Sequence, residues 1–511
     1  MYIMLKKMKK YNLFFWIVFF LCTLPSLVGI FHPGFFVSDD GHWMTIRLSA
    51  FYEALASGQF PVRFLPRLNQ GLGYPVADFL YPLFLYIGSL LHVLKFSFVF
   101  TTKLLFAGSL VFSGVGMILF LRKKFSSLAS FIGGIFYIYL PYHLYDVYAR
   151  GSLGEVVALA IVPFILWAIE NRSVGLSALF FALLILSHNT LALFFFPIIV
   201  FYALIRKMPV RRVVLFVLLG LGGAAFFWIP ALYDKQYTVF DSIAVSNPFS
   251  YFVNTISFQL IGWIGIVIFG GIFFFYKTWK RDTIFFVFFG LLSIFFSLSS
   301  SELFWHSRPL AEFVQFPFRF LSLTLIAESF LLAYLIDLLP ARKGILILLV
   351  LLLGFSAWPY LLPRSYDYLP DSFYATNVDT TTVKNEYMPR TVHVRPQTYA
   401  YTRAAVLSTA GTISNLVEKG TKMSFVASMQ KAGIVDVSFV YFPGWQARVD
   451  GKTVAISPSP QKGLVQLRVP QGQHVITVWF GETPVRVLSD IVSILSFIGI
   501  LFFLLKKNYE K

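Results

Sequence analysis

Long apolar runs alternate with short polar ones along most of this chain, and that rhythm predicts helices that cross a bilayer. A run of about 18–22 apolar residues spans the hydrocarbon core. The first covers Tyr11 to Phe31, longer than a signal-peptide core and without a small-x-small cleavage site at its exit, so it reads as an uncleaved helix. Further spans are expected near 98–121, 126–145, 155–170, 173–188, 190–205, 213–231, 256–276, 283–299, 319–338, 344–362 and 486–505. The expected fold is an α-helical polytopic membrane protein of about twelve helices.

Two stretches break the rhythm. Between Pro33 and Asp78 the chain turns polar, yet Trp43, Ile46, Ala50, Phe51, Ala54 and Leu55 recur at helical spacing. That pattern predicts an amphipathic helix lying at the interface. Residues 79–96 are apolar enough to span or to lie at the surface; the surface reading keeps Arg122-Lys123-Lys124 on the cytoplasmic side. Residues 363–483 change in kind, with Thr, Val, Gln, Pro and Arg replacing the Phe-rich runs. Lys452–Ile456, Leu464–Val469 and His474–Phe480 alternate like strands, and Asp450-Gly451 suits a two-residue hairpin turn. The domains are therefore a membrane domain over 1–362 with outer juxtamembrane helices in 33–96, a β-rich, sandwich-like extracytoplasmic domain over 363–483, and a last span with a basic tail over 484–511.

Composition agrees. Of 511 residues, 57% are hydrophobic, 13% are charged and 60 are Phe, more apolar surface than a soluble exterior tolerates. The net charge of +18 would suit nucleic acid, but its placement does not. Basic residues cluster at Lys6–Lys10, Arg122–Lys124, Arg206–Arg212, Lys277–Arg281, Arg342–Lys343 and Lys506–Lys511, each beside an apolar run. This is the positive-inside pattern, with both termini in the cytoplasm, and no nucleic-acid partner is expected. A single Cys22 allows no internal disulfide.

Three constellations fall on the outer face. Asp39-Asp40 follows the first helix; adjacent carboxylates repel, which suits a general base or a metal ligand, though Ser38, Asp39 or Asp40 could equally cap the helix that follows. Asp146, Arg150, Ser152 and Glu155 share a short loop between spans, where Arg150-Gly151 could present a guanidinium and backbone N–H groups to an anion. Glu155 also fits a first helical turn by its dipole. Gln315-Phe-Pro-Phe-Arg319 opens a span, and Arg319 either snorkels to headgroups or grips a phosphate. His42, His188 and His306 lack metal-binding spacing. No Walker A, G-x-G-x-x-G in a strand–helix context, HExxH or G-x-S-x-G motif occurs, so no nucleotide cofactor is expected.

The order of elements and the loop Ser38-Asp39-Asp40-Gly41-His42, followed by Glu53–Gly58 and Gly73-Tyr-Pro75, resembles the GT-C class of membrane glycosyltransferases. Tyr148–Glu155, Gln315–Phe320, Tyr441-Phe-Pro-Gly-Trp-Gln446 and Val449-Asp-Gly-Lys452 resemble bacterial membrane proteins labelled "6-pyruvoyl-tetrahydropterin synthase-related", some relatives of which are proposed to glycosylate cell-wall polymers. The resemblance implies no pterin chemistry. It implies catalysis by Asp39 or Asp40, as base or as ligand of a divalent metal. By the same analogy Arg150 and Glu155 would line the acceptor or donor cleft and Arg319 would contact the lipid phosphate; His42, Asp146, His188 and Gln315 are the other expected substrate-binding residues. The donor would be a polyprenyl-phosphate-linked sugar and the acceptor an extracytoplasmic glycan or protein. Aromatics such as Trp43 and Tyr74 could stack on sugars. A flippase for a lipid-linked glycan would instead need charges within spans, where only Glu328 and Asp337 fall; a non-catalytic scaffold would need fewer helices.

Overall fold

The computed structural model describes residues 13–240, 247–307, 310, 314–339, 343–407 and 411–506. Lys6–Lys10, Arg342 and most of the terminal basic run lie outside them. The chain folds as a helical membrane domain followed by a β-rich domain and a closing helix.

Among the described residues five helices are long and apolar enough to cross a membrane: Leu13–Phe31, Phe98–Leu121, Leu153–Glu170, Pro317–Leu338 and Pro484–Leu505. Two bent pairs, Val210–Gly223 with Ala225–Tyr237 and Arg281–Ser297 with Ser299–Trp305, raise that to seven. The other expected crossings are shorter helices, including Val174–Ser187, Asn189–Ile205 and Trp263–Thr278. The expected span 126–145 is divided: Ser127–Tyr139 ends at Leu140, and Pro141, which has no N–H to donate, starts a new turn. Leu83–Val93 has 11 residues, roughly 16 Å of helix, too short to cross alone.

The charged helix ends sort to two poles. At one, Lys124 and Arg206 share the carboxylates of Glu170 and Asp282. At the other, Glu155 meets Arg150 and Arg319. Glu155 and Glu170 sit near opposite ends of the single helix Leu153–Glu170, roughly 22 Å apart along its axis.

The polar stretch after the first helix forms the 16-residue helix Gly41–Ala56. Its apolar face is buried as the spacing predicts, but Thr45, Arg47 and Ser49 are buried too. Segment 371–388 covers them: Arg47 donates to the Thr381 carbonyl and hydroxyl, and Ser49 donates to the Tyr374 carbonyl. The helix is therefore roofed by protein on its polar side, which an interfacial pattern alone does not reveal.

The β-rich region comprises two antiparallel sheets. One orders Ala404–Val406, Gly433–Val440, Leu464–Val469 and Ile456–Pro458; the other orders Gly411–Lys419, Lys422–Met429, Gly472–Phe480, Trp445–Val449 and Lys452–Val454. Trp445 stacks on Phe439 across the two sheets at 4.7 Å. Asp450 and Gly451 both have positive φ (51° and 79°), as a tight hairpin turn with the twist of its strands requires. The strand expected over Lys452–Ile456 breaks at Ala455, and its two halves join different sheets. Arg486, the first charge of the closing helix, fastens this region to the membrane domain. It bonds Asp234 at 2.9 Å and the Pro443 carbonyl at 3.0 Å, and its guanidinium lies over Phe442 and Phe480.

Candidate active site

The loop after the first helix and the loop before Leu153–Glu170 meet through their backbones. Asp39 N–H donates to the Ala149 carbonyl at 3.0 Å and Asp40 N–H to the Arg150 carbonyl at 2.8 Å. Gly151 permits the approach: its φ is +62°, and a Cβ there would lie 2.2 Å from Ser38 Oγ and 2.8 Å from Gly41 N. The first and third loops thus form one surface although more than 100 residues separate them.

Beneath it lies a buried ion network. Arg150 Nη1 stands 2.6 Å from Glu155 Oε1 and 3.0 Å from Asp146 Oδ1. Arg319 Nε donates to the same Glu155 oxygen at 3.0 Å, while its Nη1 donates to Gln315 Oε1 at 3.1 Å and to the Val314 carbonyl at 2.9 Å. His188 Nε2 is 3.6 Å from Glu155, and Tyr142 O–H donates to Glu155 Oε2 at 3.5 Å. Phe316 and Phe318 pack against the guanidiniums, with Arg150 5.0 Å from the Phe318 ring centre and Arg319 4.8 Å from that of Phe316. Burial, together with the neighbouring Glu155 charge, raises the Asp146 carboxyl well above its ordinary range despite Arg150. Burial lowers His188 to about 3, so it is neutral at physiological pH. Two guanidiniums therefore converge on Glu155, and Arg150 also reaches Asp146, so positive groups are concentrated at the floor of the site.

The carboxylates of Asp39 and Asp40 remain free above this bed. Asp40 occupies the N-cap position of Gly41–Ala56, but its side chain caps no backbone N–H. Asp39 is exposed and Asp40 half-buried, and among the described residues neither carboxylate receives a hydrogen bond. Burial raises both acids; Arg150 pulls both down, joined at Asp40 by Arg47 and at Asp39 by Arg364.

The other expected residues fall unevenly. His42 turns away from Glu155: its Nδ1 bonds Tyr374 O–H at 2.8 Å and its Nε2 lies 2.9 Å from Asp367. His306 packs on Phe249, 5.0 Å between ring centres. Tyr74 is fully buried and bonded to Thr382, which closes its ring to a sugar. Trp43 packs beside Arg47, 5.9 Å from its guanidinium.

Three residues outside the sequence motifs reach the same neighbourhood. Arg47 comes from the roofed helix, exposed Arg364 stands by Asp39, and Glu386 faces Asp40 and Arg47. Burial, with Asp40 adding to it, raises Glu386 to about 7. Only the polar character of 363–390 hinted at Arg364 and Glu386. Among the described residues no group of three His, Cys, Asp or Glu side chains gathers as a metal cluster. The Asp39–Asp40 pair is flanked instead by guanidiniums, which oppose a dication, so the donor set does not fit one.

Fold and site together define a polytopic membrane protein with an acidic pair set over an arginine bed at one pole of its helices. No family model matches the chain, and no curated protein matches it. Among solved structures it is similar to arabinofuranosyltransferase AftD from Mycobacteria, at 18% identity and a TM-score of 0.48 over 70% of this chain and 28% of that one. It is also similar to the oligosaccharyltransferase of Archaeoglobus fulgidus, at 11% identity and a TM-score of 0.32 over 71% of this chain and 56% of that one. The chain thus spans less than two thirds of either.

Proposed function

We propose that this protein is a GT-C-type membrane glycosyltransferase that moves a sugar from a polyprenyl-phosphate carrier to an extracytoplasmic acceptor. The observation that carries the reading is the free, half-buried carboxylate of Asp40 above the bed of Arg150 and Arg319. In this scheme Asp40, with Asp39 beside it, takes the proton from an acceptor hydroxyl as its oxygen attacks the anomeric carbon. The bond from that carbon to the phosphate oxygen breaks, and the polyprenyl phosphate leaves with the electron pair. Arg364 contacts the phosphate from the rim, and the buried guanidiniums stabilise the charge that grows on it. Glu155, Asp146 and Gln315 hold those guanidiniums in place, and His188 stands beside Glu155. His42 orients the loop through Asp367 and Tyr374. No step uses a metal.

The same reading puts the protein in the cell membrane with both termini cytoplasmic and residues 363–483 outside. The meeting of Arg122–Lys124 and Arg206–Arg212 residues in one network, at the helix end opposite Glu155, supports that orientation. The motifs of Tyr148–Glu155 and Gln315–Phe320 further suggest the "6-pyruvoyl-tetrahydropterin synthase-related" membrane proteins.

The test is sugar transfer from a polyprenyl-phosphate donor in proteoliposomes, with Asp39→Asn, Asp40→Asn and the double variant at matched protein levels. Loss of transfer in Asp40→Asn, with donor binding kept, is the expected result. Undiminished transfer by the double variant removes the proposed base, and movement of the lipid across the bilayer without transfer replaces the reading with a flippase.

A further inference from the structure

A second concave site lies at the other end of the helix Gly41–Ala56, roughly 24 Å along its axis from Asp40. The loop after this helix and the outer face of the five-stranded sheet enclose a cleft of ≈ 650 Å³, within the size range of ligand sites. On strand Gly472–Phe480 alternate side chains divide: Ile476 and Val478 enter the core, while Thr477 and Trp479 line the cleft. Arg448 stands opposite Thr477 on the next strand, and Lys422 stands opposite Trp479 on the other side. The Arg448 guanidinium lies 5.3 Å from the Trp479 ring centre. Lys419 and Phe60, the latter 76% exposed, also line it.

The charge of this cleft is one-sided. Lys419, Lys422 and Arg448 have no carboxylate partner among the described residues. The acid at its edge, Glu482, is already engaged by Arg63 at 3.3 Å. Unpaired cations around an indole match a ligand that carries both flat apolar faces and negative charge. The indole offers an apolar surface to the C–H face of a sugar ring, and the cations take carboxylates or phosphates. A groove with two walls admits a strand, whereas a flat bilayer surface cannot enter it.

We propose that this cleft binds an anionic glycan chain, holding the acceptor polymer while its end reaches Asp40. The proposal rests on the reading of the chain as a glycosyltransferase for the word acceptor, but not for the binding itself. Separated by about the length of the helix, the two sites are bridged by an oligomer and not by a single sugar.

Binding is measured with the full-length protein in neutral-lipid nanodiscs, with a hexamer of galacturonate as probe and maltohexaose as its uncharged counterpart. The galacturonate hexamer should bind, lose affinity as salt rises, and weaken by about tenfold or more in Trp479→Ala and in the Lys419→Ala/Lys422→Ala variant. Asp40→Asn should bind it as the natural protein does, which separates this proposal from the fate of the catalytic one. Equal binding of both hexamers, or wild-type affinity in both cleft variants, overturns it. Binding that appears only in nanodiscs containing anionic lipid overturns it too, in favour of a headgroup site.

Discussion

Glu155 and Arg319 are 164 residues apart in sequence, yet one oxygen of the former accepts a 3.0 Å hydrogen bond from Nε of the latter. Arg150 shares that oxygen, so Glu155 ties two guanidiniums together, with Asp146 as a second partner of Arg150. Replacing Glu155 by Gln takes the carboxylate from buried Arg319 and leaves Arg150 with Asp146 alone. The expected cost is about 3–5 kcal/mol, the range for a broken buried pair. Thermal unfolding of the purified variant in detergent checks it; a midpoint unchanged from the natural protein would show that solvent or lipid supplies the missing charge.

To act as the proposed base Asp40 must be ionised, and burial raises its carboxyl above the ordinary value of 3.8. Activity should therefore fall as pH drops through this raised value and level off above it. The acid limb of kcat/KM should lie above 3.8 and vanish in the residual activity of Asp40→Asn.

Glu386 prefers its proton when folded, with its carboxyl raised from 4.5 to about 7. Below 4.5 both folded and unfolded states are protonated, so the group is neutral to stability there. Between 4.5 and about 7 only the unfolded chain releases the proton, and stability declines as pH rises. Glu386→Gln should flatten that decline; chemical denaturation across this window gives the slope.

Arg486 holds Asp234 at 2.9 Å and Asp78 at 3.5 Å, and all three side chains are buried. Arg486→Met keeps the stem packed over Phe442 and Phe480 but removes the cation from Asp234 and leaves Asp78 with Arg63 alone. We expect a loss of about 3–5 kcal/mol. Limited proteolysis should cut the β-rich region from the helices faster than in the natural chain.

Gly151→Ala should cost about 1–3 kcal/mol, since its φ of +62° disfavours a side chain and the new methyl meets Ser38 and Gly41 backbone. Transfer should drop more steeply than stability because the contact aligns Asp40 with Arg150. The ratio of kcat to unfolding midpoint in this variant reads that difference.

Apolar periodicity and charge placement sufficed for the membrane class, the strand pattern of 464–480 and the Asp450-Gly451 turn, because solvent and backbone geometry impose those locally. The motifs also pointed to Asp39, Asp40, Arg150, Glu155 and Arg319. Their pairing was beyond reach: which carboxylate neutralises which guanidinium depends on helices that meet only after folding. The same holds for Arg47 and Glu386, drawn together when 371–388 roofs a helix whose pattern suggested only lipid. His42 looked like a site residue by its neighbours in sequence, and tertiary packing gave it to Asp367. A chain's solvent preferences are written residue by residue, whereas the field at a buried site is the sum of charges brought from distant segments.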